Sequence, residues 1–280
     1  QEKISGELWK ILHESHNTPL GEFSLSGLIS NHHLRGKPGH ILALLKKADQ
    51  NDSGEDEYNA AGLHQLPPVQ RATVFGLEDE LDLTQMERLR FAFYTKLERL
   101  RVLVPKLSKP LTDKQRKQLQ DEVFNEGEWK LRLPSFCCYG RDVLWSLVDA
   151  TFHHSLGKTQ RAANDIRLDQ HVWGVASRFK AFVMRDLLDP PPLDKSGNPV
   201  VRNTFRLLTV QWNSWEAITP FEKLSDVVGR MAMITQVRHA LRQAIETEHA
   251  IGNRIYEDDD GIHFLVADVE WGTELETLVR

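Results

Sequence analysis

The stretch GNRIYEDDDGIHFLVAD, residues 252 to 268, decides the fold of the second half of this chain. Two short runs that look like strands, NRIY and GIHFLVADVEW, flank three consecutive aspartates, and this pattern predicts a β-hairpin. Asp260 and Gly261 suit its corner because Asp and Gly favour tight turns. The residues leave two explanations of the acidic corner open: an ordinary solvated turn, or hard oxygen ligands for a divalent cation.

The segments upstream of the hairpin predict the rest of a sheet. The run TFRLLTVQW, residues 204–212, predicts a strand, and residues 221–250 predict one long helix. The order strand, helix, strand, strand is the first part of a ferredoxin-like unit, in which the helix covers one face of an antiparallel sheet. The apolar positions of that helix are Val227, Val228, Met231, Ile234, Val237, Leu241 and Ile245.

Most of the remaining sequence predicts helices. These helical segments cover residues 1–65, residues 79–127 with a break at Pro105 and Pro110, a helix that begins near Tyr139, and residues 168–188. Residues 189–199 contain four prolines and one glycine, which predicts an exposed loop. The predicted fold class is therefore α+β, with a helical segment 1–75, a helical connector 76–200 and a partial sheet unit 201–280.

Composition narrows the classes of function. The 280 residues carry a formal net charge of -5, so the chain as a whole is not a basic nucleic-acid clamp. The absence of a run of about eighteen apolar residues predicts no membrane span and no membrane partner. The two cysteines, Cys137 and Cys138, are neighbours, which favours buried thiols in a reducing compartment such as the cytoplasm.

In the metal explanation, Asp259 and Asp260 supply the carboxylates at the hairpin tip. A two-metal site usually needs another acid on a neighbouring strand, but residues 204–212 contain none. The nearest polar groups there are Gln211 and Asn213, and a neutral amide is a weaker Mg²⁺ ligand than a carboxylate. The sequence therefore predicts a reduced site, if the turn holds metal at all.

Aromatic residues follow the predicted strand 204–212. Trp212 and Trp215, with Phe221, are arranged either to stack on nucleotide bases or to pack the long helix against the sheet. The sequence leaves both explanations open.

The hairpin resembles the palm hairpin in the large subunit of type III CRISPR effector complexes. The tip of that hairpin usually reads Gly-Gly-Asp-Asp after Tyr-x, and Tyr256 matches the tyrosine. Asp258 and Asp259 take the places of the two glycines, whereas Asp260 and Gly261 take those of the two aspartates. One acid of the family's pair is therefore missing here.

Weaker similarities to the same family lie upstream, in the family's order. His171 matches an Asp-His motif whose aspartate is Gln170 here. The long helix is similar through Lys223, Leu224, Gly229 and Arg230, and the end of an HD domain through Asp49, Ser53, Gly54 and Glu55, with His32 and His33 in a preceding helix. By this resemblance, residues 1–75 are an HD-like remnant and residues 201–280 the first half of a palm, so we expect the parent chain to continue past Arg280.

The resemblance implies an RNA-guided antiviral ribonucleoprotein. In that family a guide RNA pairs with a target transcript, and the palm converts ATP to cyclic oligoadenylates with Mg²⁺ or Mn²⁺. It implies Asp259 and Asp260 as catalytic metal ligands, and Tyr256, Asp258 and Gly261 as nucleotide-binding residues. The expected partners are CRISPR RNA, target RNA, and the neighbouring Cas backbone and small subunits.

The departures from the family pattern predict impaired chemistry. The sequence contains no His-Asp dipeptide, so HD nuclease activity is not expected. The replacement of one tip acid by Gly261 implies weakened cyclic oligoadenylate synthesis. The alternatives are a catalytically inactive scaffold subunit of the same complex and a stand-alone GGDEF-type nucleotide cyclase.

Overall fold

The computed structural model describes residues 13–32, 39–57, 70–72, 78–80, 83–104, 109–125, 133, 139–152, 168–219 and 223–270. The helices are α1 (Leu25–Asn31), α2 (His40–Glu57), α3 (Leu83–Leu103), α4 (Asp113–Leu119), α5 (Gly140–Phe152), α6 (Leu168–Leu188), α7 (Ser214–Ile218) and α8 (Leu224–Arg242). Wider π-helical turns extend α4 over Gln120–Phe124 and α8 over Gln243–Glu248. The strands are β1 (His16–Thr18), β2 (Gly21–Phe23), β3 (Gln70–Ala72), β4 (Glu78–Glu80), β5 (Phe205–Gln211), β6 (Gly252–Glu257) and β7 (Gly261–Ala267). The predicted α+β class is confirmed.

The chain divides into two compact units. One comprises Gln1–Glu14 and Asn51–Trp173, and the other Ser15–Gln50 and Gly174–Arg280. The chain therefore passes from one unit to the other within α2 and again within α6. The boundaries of these two units differ from those of the three predicted segments. The HD-like and palm assignments of those segments stay predictions.

The first unit is built on α3, α4 and α5. Their apolar faces form one core of Leu100, Val104, Leu119, Val123, Phe124, Leu133, Val143 and Leu147. The predicted separation into two helices is confirmed, since α3 ends at Leu103 and α4 begins at Asp113. Thr112 fixes the start of α4 by a reciprocal capping box with Gln115, which satisfies backbone N–H groups that have no partner within the helix.

The three-stranded sheet of the second unit has the order β5-β7-β6, with both pairs antiparallel. The last strand thus lies between the two strands that α8 connects, and the predicted order of elements is confirmed. One face carries the core: Ile262, Phe264 and Val266 of β7 pack with Leu208, Val210, Leu241, Ile245 and Ile251. On the other face, Asn253 bonds Ser177 and Lys180 of α6, at 3.3 and 3.1 Å.

The burial of α8 differs from the amphipathic pattern expected of it. Ile245 is buried in the turn that extends α8, and Leu241 packs on the core, but Val228, Met231 and Val237 are 62%, 54% and 51% exposed. At about 100° per residue, the seven apolar positions fall within about half of the helix circumference. The protein covers only one arc, so periodicity overstated how much apolar surface this helix buries.

Candidate functional site

The acidic turn joins β6 to β7 through Asp258, Asp259 and Asp260. The backbone N–H of Asp258 donates to the carbonyl of Gly261 at 3.1 Å, and that of Asp260 donates to Asp258 Oδ1 at 3.0 Å. A side chain that accepts from the backbone two residues on is the usual role of Asp in tight turns. The Asp258 carboxylate therefore helps to close the turn itself.

Asp260 holds the turn to the segment that follows β5. Its Oδ1 accepts from the backbone N–H of Ser214 at 3.0 Å, and its carbonyl accepts from that of Trp212 at 2.9 Å. Ser214 is the first residue of α7, and the first N–H groups of a helix lack acceptors within the helix. Asp260 thus shares the N-terminal cap of α7 with Asn213, whose side chain accepts from Glu216 at 3.1 Å.

Asp259 contributes its backbone to the fold rather than its carboxylate. Its carbonyl accepts from Trp212 Nε1 at 2.8 Å and from the Ser214 hydroxyl. Its side chain is 98% exposed. The Asp259 carboxylate is therefore almost fully open to solvent.

Arg238 of α8 supplies positive charge to the acidic turn. Its Nη2 donates to the Asp258 carbonyl at 2.5 Å and lies 3.7 Å from Asp259 Oδ1, while its Nε lies 3.7 Å from Glu257 Oε1. The guanidinium also lies 5.5 Å from the centroid of the Trp212 ring, within the range of a cation–π contact. A side-chain cation of the protein therefore offsets the repulsion between neighbouring acids.

Gly261 lies where the resembling family has its second aspartate. It pairs with Gln211 of β5, and a Cβ at this position would lie 3.0 Å from the Val210 carbonyl and 3.3 Å from Gln211 Cγ. A side chain here would press on the backbone of β5. The glycine is thus suited to the close approach of these two strands.

Tyr256 lies on the sheet face opposite the core, in a row across all three strands. It pairs with His263 of β7, which pairs with Thr209 of β5. The Tyr256 and His263 rings are 5.4 Å apart and tilted by 47°, and the Thr209 hydroxyl lies 3.0 Å from His263 Nδ1. Sequence reasoning missed His263 and Thr209, because only the strand register brings them beside Tyr256.

The two tryptophans after β5 have different environments. Trp212 packs partly buried against the sheet core, which favours the packing explanation for this residue. Trp215 is 76% exposed. Phe221 lies outside the described residues, so its predicted role stays a prediction.

The upstream residues of the resemblance are only partly described. In the first unit, His171 Nδ1 lies 2.6 Å from Asp52 Oδ2, a pairing that the sequence did not predict. Asp49, Ser53, Gly54 and Glu55 lie on α2, and His32 follows α1. His33 lies outside the described residues.

Two carboxylates of the acidic turn already have partners within the fold, which bears on whether the turn could hold a pair of divalent cations. The carboxylates of Asp258 and Asp260 accept backbone hydrogen bonds, Arg238 supplies positive charge, and Gly261 carries no ligand. Among the described residues, no group of three or more His, Cys, Asp or Glu side chains is arranged to hold a metal ion. The Asp259 side chain is 98% exposed and offers one open carboxylate, whereas two-metal chemistry usually needs more than one acid.

The chain was compared with known proteins. No family model, no curated protein and no solved structure matches it. In the part of the chain that the structure describes, no helix combines the length and apolar character that a membrane crossing needs.

Proposed function

We propose that this chain is part of the large subunit of a type III CRISPR RNA-guided ribonucleoprotein, with a palm that serves as a catalytically inactive scaffold. The observation that carries the proposal is that groups of the acidic turn contact other elements of the fold. Asp260 caps α7 and Arg238 takes the place of a cation beside Asp258. The palm is thus related to cyclic oligoadenylate synthases in its architecture, without their metal chemistry.

The order of elements supports the palm part of the proposal. A strand, a helix and a hairpin that form the order β5-β7-β6 agree with the first half of a ferredoxin-like unit. The tip of that hairpin carries the segment Tyr256–Gly261, through which the chain resembles the family. A fold by itself does not fix a function, so the assignment to the family depends on the sequence resemblance.

The geometry of the tip supports the inactive form of the palm. Transfer of a nucleotidyl group with two metal ions requires carboxylates whose oxygens are free to coordinate. One oxygen of each carboxylate, Asp258 Oδ1 and Asp260 Oδ1, accepts from a backbone N–H group, and a Cβ at Gly261 would lie 3.0 Å from the Val210 carbonyl. Under this proposal the partners are CRISPR RNA, target RNA and the adjacent Cas backbone and small subunits, in the cytoplasm.

The test is a synthesis assay on the assembled full-length complex. The complex is incubated with radiolabelled ATP, Mg²⁺ or Mn²⁺ and complementary target RNA, and the products are separated by chromatography. We expect a guide RNA to copurify and no cyclic oligoadenylate to form. A matched assembly with the Asp259→Asn variant controls for trace synthesis by contaminants.

Each contrary result would contradict a different part of the proposal. RNA-dependent cyclic product that the Asp259→Asn variant lacks would show an active palm. Product without RNA, with a preference for GTP, would assign the chain to the GGDEF-type cyclases. Absence of any copurifying guide RNA would refute the assignment to the ribonucleoprotein.

A further inference from the structure

We propose that residues 189–202 form a preformed docking arm, which inserts its Pro-Leu segment into an aromatic-lined groove on another protein. We call these residues the proline arm. They connect α6 to β5 and read DPPPLDKSGNPVVR. This inference stands on the geometry of the arm and does not depend on the proposed function.

The run of prolines at the start of the proline arm is stiff because the proline ring restricts the backbone. Each proline ring fixes φ near −65°, and a residue that precedes proline is held in an extended conformation. Pro190, Pro191 and Pro192 follow one another, and such a sequence favours the polyproline II conformation, which has no internal hydrogen bonds. Such a segment loses little conformational entropy when it binds.

Hydrogen bonds close the tip of the proline arm. The backbone N–H of Val200 donates to the Pro192 carbonyl at 2.9 Å, and that of Asp194 donates to the Asn198 carbonyl at 2.8 Å. Asp194 Oδ1 accepts from the N–H groups of Ser196 and Asn198 at 2.8 and 2.9 Å. Hydrogen bonds from Asn198 and Ser196 hold the pKa of Asp194 below its usual value.

Charged side chains hold the two ends of the proline arm together. Arg202 donates to Asp189 Oδ2 at 2.5 Å and to the buried Asp186 Oδ1 at 2.8 Å. Arg185, also fully buried, donates to the same Asp186 oxygen at 2.8 Å and to the Thr204 carbonyl at 2.9 Å. Both ends of the arm are therefore fixed to α6 and to the start of β5.

The Pro-Leu segment of the proline arm presents an apolar surface. Leu193 is 66% exposed, and Pro190 and Pro192 are exposed beside it. The acids of the arm are engaged within it, Asp189 by Arg202 and Asp194 by backbone N–H groups. An exposed apolar segment that is ordered in advance is suited to binding, because the entropic cost of ordering is already met.

The chemistry of proline selects the kind of partner. Pro190, Pro191 and Pro192 have no backbone N–H, so they have nothing to donate to a strand added alongside them. Recognition must therefore use side chains and backbone carbonyls, and grooves lined by aromatic rings accept polyproline II segments. Leu193, next to the prolines and fixed by its bridge to Pro199, supplies the apolar anchor for such a groove.

The test places a photoreactive benzoylphenylalanine at position 193 of the full-length chain in its native cells. A second chain carries it at position 224, where the native Leu224 is 77% exposed. After irradiation, the cross-linked protein and residue are identified by mass spectrometry. We expect one protein to be cross-linked from position 193 only, at a groove with at least two aromatic side chains.

Two substituted chains show whether the stiff segment is responsible. Pro191→Gly together with Pro192→Gly should lower the cross-link yield about fivefold or more, because the arm loses its preformed conformation. Lys195→Ala, in the same arm, should leave the yield unchanged. Equal yields from positions 193 and 224, cross-links spread over many proteins, an attachment site without aromatic side chains, or an undiminished yield in the double glycine chain would each overturn the proposal.

Discussion

The Asp260 carboxylate accepts a hydrogen bond from the backbone N–H of Ser214 at 3.0 Å, and this contact joins the acidic turn to the first residue of α7. Ser214 is itself buried, so the N–H has little access to water. The carboxylate that resembles a metal ligand in the sequence thus acts as a helix cap in the fold.

The first prediction compares the contributions of the Asp260 and Asp259 side chains to stability. Asp260→Ala should lower the free energy of unfolding by about 1 kcal/mol, the usual effect of losing a cap. Asp259→Ala should change it by less than about 0.5 kcal/mol, since its side chain is exposed and its carbonyl remains. Urea denaturation of both variants measures the difference. Equal losses would contradict the capping role.

Arg238 provides the second prediction. Arg238→Gln should destabilise the protein by about 1 kcal/mol at low ionic strength, and less in high salt, because its contacts with Glu257 and Asp259 are screened. Added Mn²⁺ should restore part of the lost stability by supplying a cation at the turn. Thermal unfolding with and without Mn²⁺ measures both effects.

A matched arginine controls for general effects of the Arg238 substitution. Arg230 is on the same helix but donates to the Ala217 carbonyl at 3.1 Å instead of lying by the acidic turn. Arg230→Gln should therefore show no gain of stability from Mn²⁺. The same response to Mn²⁺ in both variants would exclude a specific role for Arg238.

The third prediction concerns stability at acid pH. Burial by itself raises the pKa of Asp186, but hydrogen bonds from Arg185, Arg202 and His40 outweigh it and hold the pKa below the usual 3.8. A carboxyl whose pKa is lowered by folding stabilises the native state above its unfolded pKa. That stabilisation is complete at neutral pH and is lost as pH falls below about 4.

Removal of the Asp186 carboxylate tests this sign. Asp186→Asn leaves the buried Arg185 without its anion and removes one of the two anionic partners of Arg202, and we expect a loss of about 3 to 5 kcal/mol at pH 7. The difference between wild type and variant should shrink as the pH of urea denaturation is lowered from 5 to 2.5. Asp189→Asn, whose native side chain is 61% exposed, is the control and should lose far less. A difference that does not change with pH would contradict the assignment.

Glycine positions provide the fourth prediction. Gly261→Ala should destabilise by roughly 1–3 kcal/mol, because its Cβ would meet the Val210 carbonyl at 3.0 Å. Gly229→Ala lies within α8, where in the described part of the structure its Cβ would enter open space beside the helix, and it should stabilise by roughly 0.5–1 kcal/mol. Chemical denaturation of the two variants gives the signs. Stabilisation by both changes would show that β5 and β7 have room at position 261.

The local sequence predicted the helices and strands better than it predicted which of their residues are buried. The predicted helix 168–188 coincides with α6, and the predicted strand 204–212 contains β5. Periodicity did not reveal that Val228 and Met231 are exposed, because the covered arc of a helix depends on how it packs on the sheet. Local preference acts within a few residues, whereas burial depends on contacts between distant segments.

The candidate site shows the same limit. The acidic corner was predicted as a turn from its Asp and Gly residues, and the turn is there. The cap on Ser214 required the register of β5 against β7, and the contact with Arg238 required the position of α8. Neither contact leaves a local signal in the sequence. The sequence alone therefore could not decide between a solvated turn and a metal site.

The contact between Arg238 and the acidic turn constrains the order in which mutations could produce metal chemistry here. Loss of Arg238 alone leaves Glu257 and the three aspartates without this nearby counter-charge, and gain of an acid at position 261 alone strains β5. Each of these two steps is therefore unfavourable by itself. Once such an arginine is established, a lineage should therefore regain catalysis less readily than it lost it.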